Sequence, residues 1–358
     1  PYSVSVPLAM TYAGARGRTR EQMAETLYYG LGADVHPAFA DLRAVLATRA
    51  SATDPVDGDE VDAFQLSVAN ALWGREGYPF AGEYLALVAD NYGTGLRRAD
   101  FAGDPEGART RINEWVAGQT ADRIEELLPP TALSPDTVLV LTNAIYFMAG
   151  WLQQFDPEDT AEETFTTLGG SETAVPFMHQ HVRAPHASVD GAQAVELPYV
   201  GEEVSMVLLL PGDGTFEAFE RDLDADRLFR VFDSLGDAAG TIALPRFEFG
   251  STVQLSDVLK SMGMTDAFGS GADFGGMVAG DGGGPFISEV YHETFVSVDE
   301  EGTEASAATA VVMDESAPPE WGTIRFDRPF LFCIRDRPTN AVLFLGRVVD
   351  AGAAQGQQ

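Results

Sequence analysis

Lysine is almost missing from this 358-residue chain: Lys260 is the only one, and every other basic residue is arginine. With 22 basic against 55 acidic residues the net charge is −33. A surface that tracks phosphates needs clustered Lys and Arg, so nucleic acid is excluded as an expected partner. An acidic surface nearly free of Lys is the pattern expected of a protein working in concentrated salt, where self-repulsion is screened. The plainer reading is a merely soluble acidic protein. Cysteine is equally scarce. Cys333 stands alone inside the apolar run FLFCI, which predicts a buried small hydrophobe and rules out an intramolecular disulfide. No apolar run reaches the roughly 18 residues that suggest a membrane span. The chain opens on Pro1 without Met and without a basic-then-apolar leader, so an upstream N-terminus is expected and secretion cannot be judged from this end.

Catalytic motifs are lacking too. There is no GxSxG elbow, no HExxH, no Walker loop and no zinc-spaced cysteine set. The Gly-rich stretch GSGADFGGMVAGDGGG lacks GxGxxG spacing and carries Asp273 and Asp281, wrong for a phosphate; it reads as a mobile loop. The pair in HQH, His179 and His181, reads as plain surface residues rather than a metal site. Carboxylates are so abundant that no acid/base pair stands out. The expectation is a protein without catalysis, cofactor or metal.

What is present is globular, with 45% apolar residues. TREQMAETLYYG reads as a helix with Thr19 and Gln22 at capping-box spacing, Met23 and Leu27 on one face and Gly30 as its stop. ARTRINEWVAGQT carries the helical stripe Ile112, Trp115, Val116. TVLVLTNAIYF is nearly all apolar, as expected of a strand buried on both faces. VSMVLLL, TIALPRFEF, IRFDRPFLFCIRD and AVLFLGRVVD read as strands, the last two as an antiparallel pair around RPTN. LSDVLKSMG reads as a short helix closed by Gly263. SATDPVDGDEVDA (51–63) is an acidic turn-rich loop, not a domain boundary. Helices and strands alternate without a βαβ rhythm, which predicts one α+β domain over 1–350 and a disordered tail at 351–358.

One stretch resists an ordinary reading: VSVDEEGTEASAATAVVMDESAPPEW, Val296 to Trp321. With period two, one face carries Thr303, Ala305, Ala307, Thr309 and Val311, all small and uncharged. The other carries Glu304, Ser306, Ala308 and Ala310. That is the pattern of a strand that enters an already packed sheet, where large residues would clash. No large side chain anchors it beforehand, so it can begin as an exposed loop. Gly302 supplies the hinge after TFVSVD, and Pro318 and Pro319 discourage strand pairing at the far end. A flexible Ala-rich surface loop is the alternative.

VDEEGTEASAATAVVM followed by FDRPFLFCIRDRPTNAVLFLGRVVD closely resembles the reactive-loop hinge and C-terminal signature of the serpins. PYSVSVPLAMTYAGARGRTREQMAETL, LTNAIYFMAGWLQQFDPEDT, VPFMHQ, LPYVGEEVSMVLLLP, LPRFEF and ISEVYHETFVSVDEEGT match in order, covering nearly all of 1–350. The resemblance implies a prokaryotic-type serpin of a salt-adapted organism: an α+β serpin fold with three β-sheets, about eight helices and an exposed reactive-centre loop at 300–321. The family's first helix has no counterpart here, so N-terminal truncation is expected. Implied too is a monomeric inhibitor of a serine protease that is cut, holds its target as an acyl-enzyme and inserts its loop into the main sheet. The alternative is a non-inhibitory serpin-fold binding or chaperone protein that is only a substrate. The implied hinge runs through Glu300, Glu301, Gly302, Thr303, Glu304, Ala305, Ser306, Ala307, Ala308 and Thr309, with Ser306 in place of a usual alanine. Family spacing counted from Gly302 puts the reactive bond at Ser316–Ala317; counting back from Phe326 gives Pro318–Pro319, a poor substrate. A small Ser favours a subtilisin-like or elastase-like target, and Met313 or Glu315 would redirect it. Ser3, Asn143 and His292 match the family's polar cluster under the sheet, and Trp151 sits where the loop first inserts. No basic patch of the heparin-binding kind is present. An extracellular location is expected ahead of a cytoplasmic one.

Overall fold

The structure, a computed structural model, describes residues 1–49, 51–53, 60–62, 65–280, 284–303 and 319–353. Its helices are α1 (Tyr2–Tyr12), α2 (Gly17–Thr26), α3 (Val35–Ala47), α4 (Gly82–Tyr92), α5 (Pro105–Gln119), α6 (Phe216–Arg221), α7 (Ala225–Ser234) and α8 (Leu255–Ser261). The strands are β1 (Ser51–Thr53), β2 (Glu60–Asp62), β3 (Gln65–Arg75), β4 (Arg97–Ala99), β5 (Leu139–Gly150), β6 (Ala161–Thr166), β7 (Glu172–Val189) and β8 (Ala192–Pro198). They continue with β9 (Val204–Pro211), β10 (Gly236–Pro245), β11 (Phe247–Gln254), β12 (Val290–Val298), β13 (Gly302–Thr303), β14 (Glu320–Arg325), β15 (Phe330–Asp336) and β16 (Ala341–Val348). Among the described residues they form three sheets. The first has the order β11-β12-β5-β3-β4, with β13 added against β5; the second runs β14-β10-β7-β8-β9-β15-β16, with β6 on β7; the third is the hairpin β1-β2.

The central strand β5 explains the layering. Its residues alternate between two apolar environments, as period two requires. Val140 and Ala144 face α5, whose Ala108, Ile112 and Val116 recur at helical spacing. Leu139 and Leu141 face the buried helix α1, and Ile145, Phe147 and Ala149 face the second sheet. A strand covered on both sides reads as one continuous apolar run, which is why it is visible in the sequence. α5 begins where Asp104 accepts a hydrogen bond from the Gly107 amide and Pro105 takes the first helical position. The outer face of the second sheet is closed by α6 and α7 through Phe216, Phe219, Val231 and Phe232. Cys333 lies under them, unbridged, and burial pushes its thiol up to about 12.

Several local expectations are corrected. Thr19 and Gln22 do not form a capping box. α2 starts after Arg16, and these side chains accept hydrogen bonds from the amides of Asp273 and Asp266. The helix ends at Thr26, before Gly30. The Gly-rich stretch is packed rather than mobile over its described part, because Phe274 and Met277 are fully buried and Met277 lies where a Cβ on Gly14 would be. TIALPRFEF is two strands: β10 and β11 belong to different sheets, and the chain crosses between them at Arg246. IRFDRPFLFCIRD is likewise split, Ile324 and Arg325 ending β14, 326–329 connecting, and Phe330 to Asp336 forming β15. Strand pairing resumes at once after Pro319, whose carbonyl accepts from the Ala239 amide. The acidic segment contains β1 and β2, with 54–59 outside the described residues. Ala351, assigned to the tail, is buried in the core; 354–358 lie outside the described residues.

The packing of the Gly-rich stretch is testable. Phe274→Ala should destabilise the uncut protein by roughly 3–5 kcal/mol, the usual cost of deleting a buried ring. A denaturation midpoint equal to the parent's would show that the stretch is not packed.

Candidate functional site

The site lies along the seam between β5 and β12. These strands are parallel and in register from Val290↔Leu141 to Phe295↔Tyr146, which sets His292 beside Asn143. Beyond Tyr146 the pairing of β5 changes partner. Ala149 and Gly150 pair antiparallel with Thr303 and Gly302, so the first residues of the expected loop already lie against the end of the central strand.

Three devices hold them there. Trp151 is fully buried, stacks on Tyr199 with ring centroids 4.7 Å apart and planes 7° from parallel, and donates its indole N–H to the Asp299 carbonyl at 2.9 Å. The Trp151 amide donates to the Glu301 carbonyl, also at 2.9 Å. Thr303 is fully buried, with its hydroxyl 2.8 Å from the Tyr199 hydroxyl. Glu300 is the second device. Its carboxylate takes both Arg246 donors, at 2.6 and 2.9 Å, and the Thr160 hydroxyl. Burial alone would push that carboxyl up; the hydrogen bonds from Arg246 and Thr160 outweigh it and hold it below its ordinary range. Third, the Asp299 carboxylate accepts from the amides of Glu301 and Gly302. Gly302 is required by contact as well as by turn: a Cβ there would lie 2.1 Å from the Ala149 carbonyl oxygen, a backbone atom that cannot yield.

Further along the seam is a buried polar cluster. The Asn143 amide group donates to the Ser3 carbonyl at 2.8 Å and to Asn70 Oδ1, while Asn143 Oδ1 meets His292 Nδ1. The structure thus brings together Ser3, Asn143 and His292, but Ser3 contributes its backbone. The reason lies in α1. Pro7 has no N–H, so the helical bond it would make to Ser3 is missing and the Ser3 carbonyl is left for Asn143. An unpartnered buried amide would cost about 1–3 kcal/mol. Asn70, on β3, extends the cluster to a third strand. Burial drives His292 down to about 4.

Asn70, Tyr199, Arg246, Thr160 and Pro7 were not singled out by sequence reasoning. Asn70 had a signal, an amide inside VANALW; Arg246 had one as the charge at the sheet crossing. Glu304, Ala305, Ser306, Ala307, Ala308, Thr309, Met313, Glu315, Ser316 and Ala317 lie outside the described residues. His179 pairs with Glu163 at 2.8 Å, and His181 is exposed. No metal-ligating cluster occurs among the described residues.

A family profile described as Serpin (serine protease inhibitor) matches residues 1–351. The chain belongs to the serpins. Its relatives include a serpin-like protein of Thermococcus kodakarensis of uncharacterised function, 40% identical over 353 residues, which are 98% of this chain and 79% of the relative. The leukocyte elastase inhibitor of Xenopus laevis is 35% identical, covering 97% of this chain and 91% of that protein. Uncleaved ovalbumin has the same fold, with a TM-score of 0.82 at 30% identity over 98% of this chain and 92% of that one. The serpin fold is therefore the architecture of this chain.

The His292 geometry predicts a pH signature in this serpin. A base whose folded pKa is lowered contributes fully above its unfolded value of 6.5, and its contribution is lost as pH falls toward about 4. The stability difference between parent and His292→Gln should shrink across that window. A difference that stays constant from pH 7 to 4 would contradict a neutral His292 in the cluster.

Proposed function

We propose that this serpin, acting as a monomer, inhibits a serine protease by suicide cleavage and loop insertion. The observation that carries the proposal is the hinge: Gly302 and Thr303 already pair with β5 in line with the seam, and Thr303 points inward and is buried. After insertion in the register of Gly302 and Thr303, Ala305 would come opposite Phe147, Ala307 opposite Ile145, Thr309 opposite Asn143 and Met313 opposite Leu139, the first residue of β5. The small face of the loop is the one that would enter, and a reactive bond at Ser316–Ala317 would fall just beyond the last pair.

The chemistry belongs to the protease. Its serine Oγ attacks the Ser316 carbonyl, the peptide bond breaks, the Ala317 nitrogen leaves as a protonated amine, and Ser316 remains as an ester on the enzyme. Insertion then parts β5 from β12 and carries the ester-linked protease away. Distortion of its oxyanion hole leaves the ester unhydrolysed. Serpin reactive-loop insertion is the established example of strand addition as a driving force. Each new backbone hydrogen bond contributes about 0.5–1.5 kcal/mol. The barrier is the seam itself, since Asn143 and His292 must separate before the loop can pass. The Ser316 position suits a subtilisin-like or elastase-like enzyme, in keeping with the name of the Xenopus laevis relative.

Thr303→Arg is the test. A long cation cannot occupy a fully buried site against Tyr199, so insertion should fail at its first step while recognition and cleavage persist. Incubated with a subtilisin-like protease, the parent should give a complex that survives denaturing electrophoresis, and the variant only the cleaved product. Clean cleavage of the parent with no trapped complex would mark it as a substrate; equal trapping by parent and variant would refute insertion at Thr303.

A further inference from the structure

His292 joins the polar cluster on one face of the seam, and the next residue of β12 stands on the other. Glu293 lies between Tyr291 and Phe295 there, because side chains alternate along a strand. Its register partners are the fully buried Ala144 of β5 and Thr252 of β11. This face is covered by α5 and the segment 124–133, through Ile112, Val116, Ile124, Leu127 and Leu128. Tyr291 belongs to the same apolar cluster and Phe295 packs against it. Arg123, which leads into the covering segment, lies over the Phe295 ring at 5.4 Å.

These surroundings do not suit a carboxyl. Thr252 supplies a side-chain hydrogen bond, but Glu293 Oε2 is buried and has no partner among the described residues. Burial pushes the group above its ordinary range. A buried acceptor without a hydrogen bond is a net cost, and an apolar residue of similar size avoids it. Asn143, one residue away across the same seam, has its amide and its oxygen both engaged. Opening the seam changes the position of Glu293. An inserted strand moves β12 away from β5 by one strand spacing, about 4.8 Å. The cover is anchored elsewhere, on Ala69, Ala71 and Trp73 of β3 and on Val140 and Ala144 of β5, so it stays while β12 leaves its margin. The carboxyl then reaches water. We propose that Glu293 is a wedge: it weakens the closed seam, is relieved as the seam opens, and thereby speeds loop insertion. The proposal rests on the inhibitory reading and names a residue that sets the rate of its decisive step.

Glu293→Leu tests this, since it is close in volume and removes the polar group. In guanidinium the uncut variant should unfold at a midpoint at least about 0.2 M above the uncut parent's. Parent and variant cut once in the loop should share one midpoint, because the carboxyl is already relieved in that form. Slower insertion leaves the ester more time to hydrolyse, so the variant should consume at least about twice as many inhibitor molecules per trapped protease. Glu293→Met should behave in the same way. Glu25→Leu, which removes an exposed carboxylate on α2, controls for the loss of one negative charge and should match the parent in every measurement. The wedge is overturned if neither Glu293 variant raises the uncut midpoint, or if cut and uncut forms gain alike. With a parent that still traps protease, either result leaves the inhibitory reading standing. A parent that traps no protease and gains no stability on cutting removes that reading, and the wedge with it.

Discussion

The closed seam between β5 and β12 is the constraint on which the rest of this structure depends. Two parallel strands pair directly from Leu141 to Tyr146 of β5, and a single buried amide, Asn143, ties together β5, β3, α1 and β12. A sheet interior is a costly place for an amide, and it is tolerated there because all its partners are supplied. Two of those partners depend on features of other elements. Ser3 offers its carbonyl because Pro7, one turn on, cannot use it. His292 stays neutral because it is buried, which keeps charge out of the cluster. Such a cluster adds little net stability, but it concentrates the cost of opening at one place.

At the Gly150 end the same strand has already exchanged its neighbour. The hinge is held by one aromatic stack, one ion pair between the buried Glu300 carboxylate and the half-exposed Arg246, and one glycine whose Cβ would strike a backbone oxygen. Between this open end and the clasped middle only Phe147 and Met148 of β5 separate the two arrangements. The two-residue pairing of β13 and the polar cluster thus lie on one element, β5.

Much of this was legible in the sequence, and for identifiable reasons. β5 announced itself because a strand buried on both faces is apolar at nearly every position, and Asn143 stood out against that run. Of the hinge, only Glu300 to Thr303 are among the described residues, and Thr303 is buried there. What was hidden depended on tertiary partners. Thr19 and Gln22 had the spacing of a cap, but their oxygens are used by a distant loop. The Gly-rich stretch looked mobile because glycine signals backbone freedom, while its burial rests on only two large residues, Phe274 and Met277. Tyr199 and Arg246 are ordinary residues at strand ends, and only the sheets they join make them part of the site.

The central claim is that the uncut chain is held in an arrangement less stable than the one its own loop could complete. Thermal denaturation before and after a single cut in the loop measures this directly. Insertion adds a strand of about ten residues, and at about 0.5–1.5 kcal/mol per hydrogen bond the midpoint should rise by at least about 10 °C. A cut chain that melts at the same temperature as the intact one, or below it, would contradict the account.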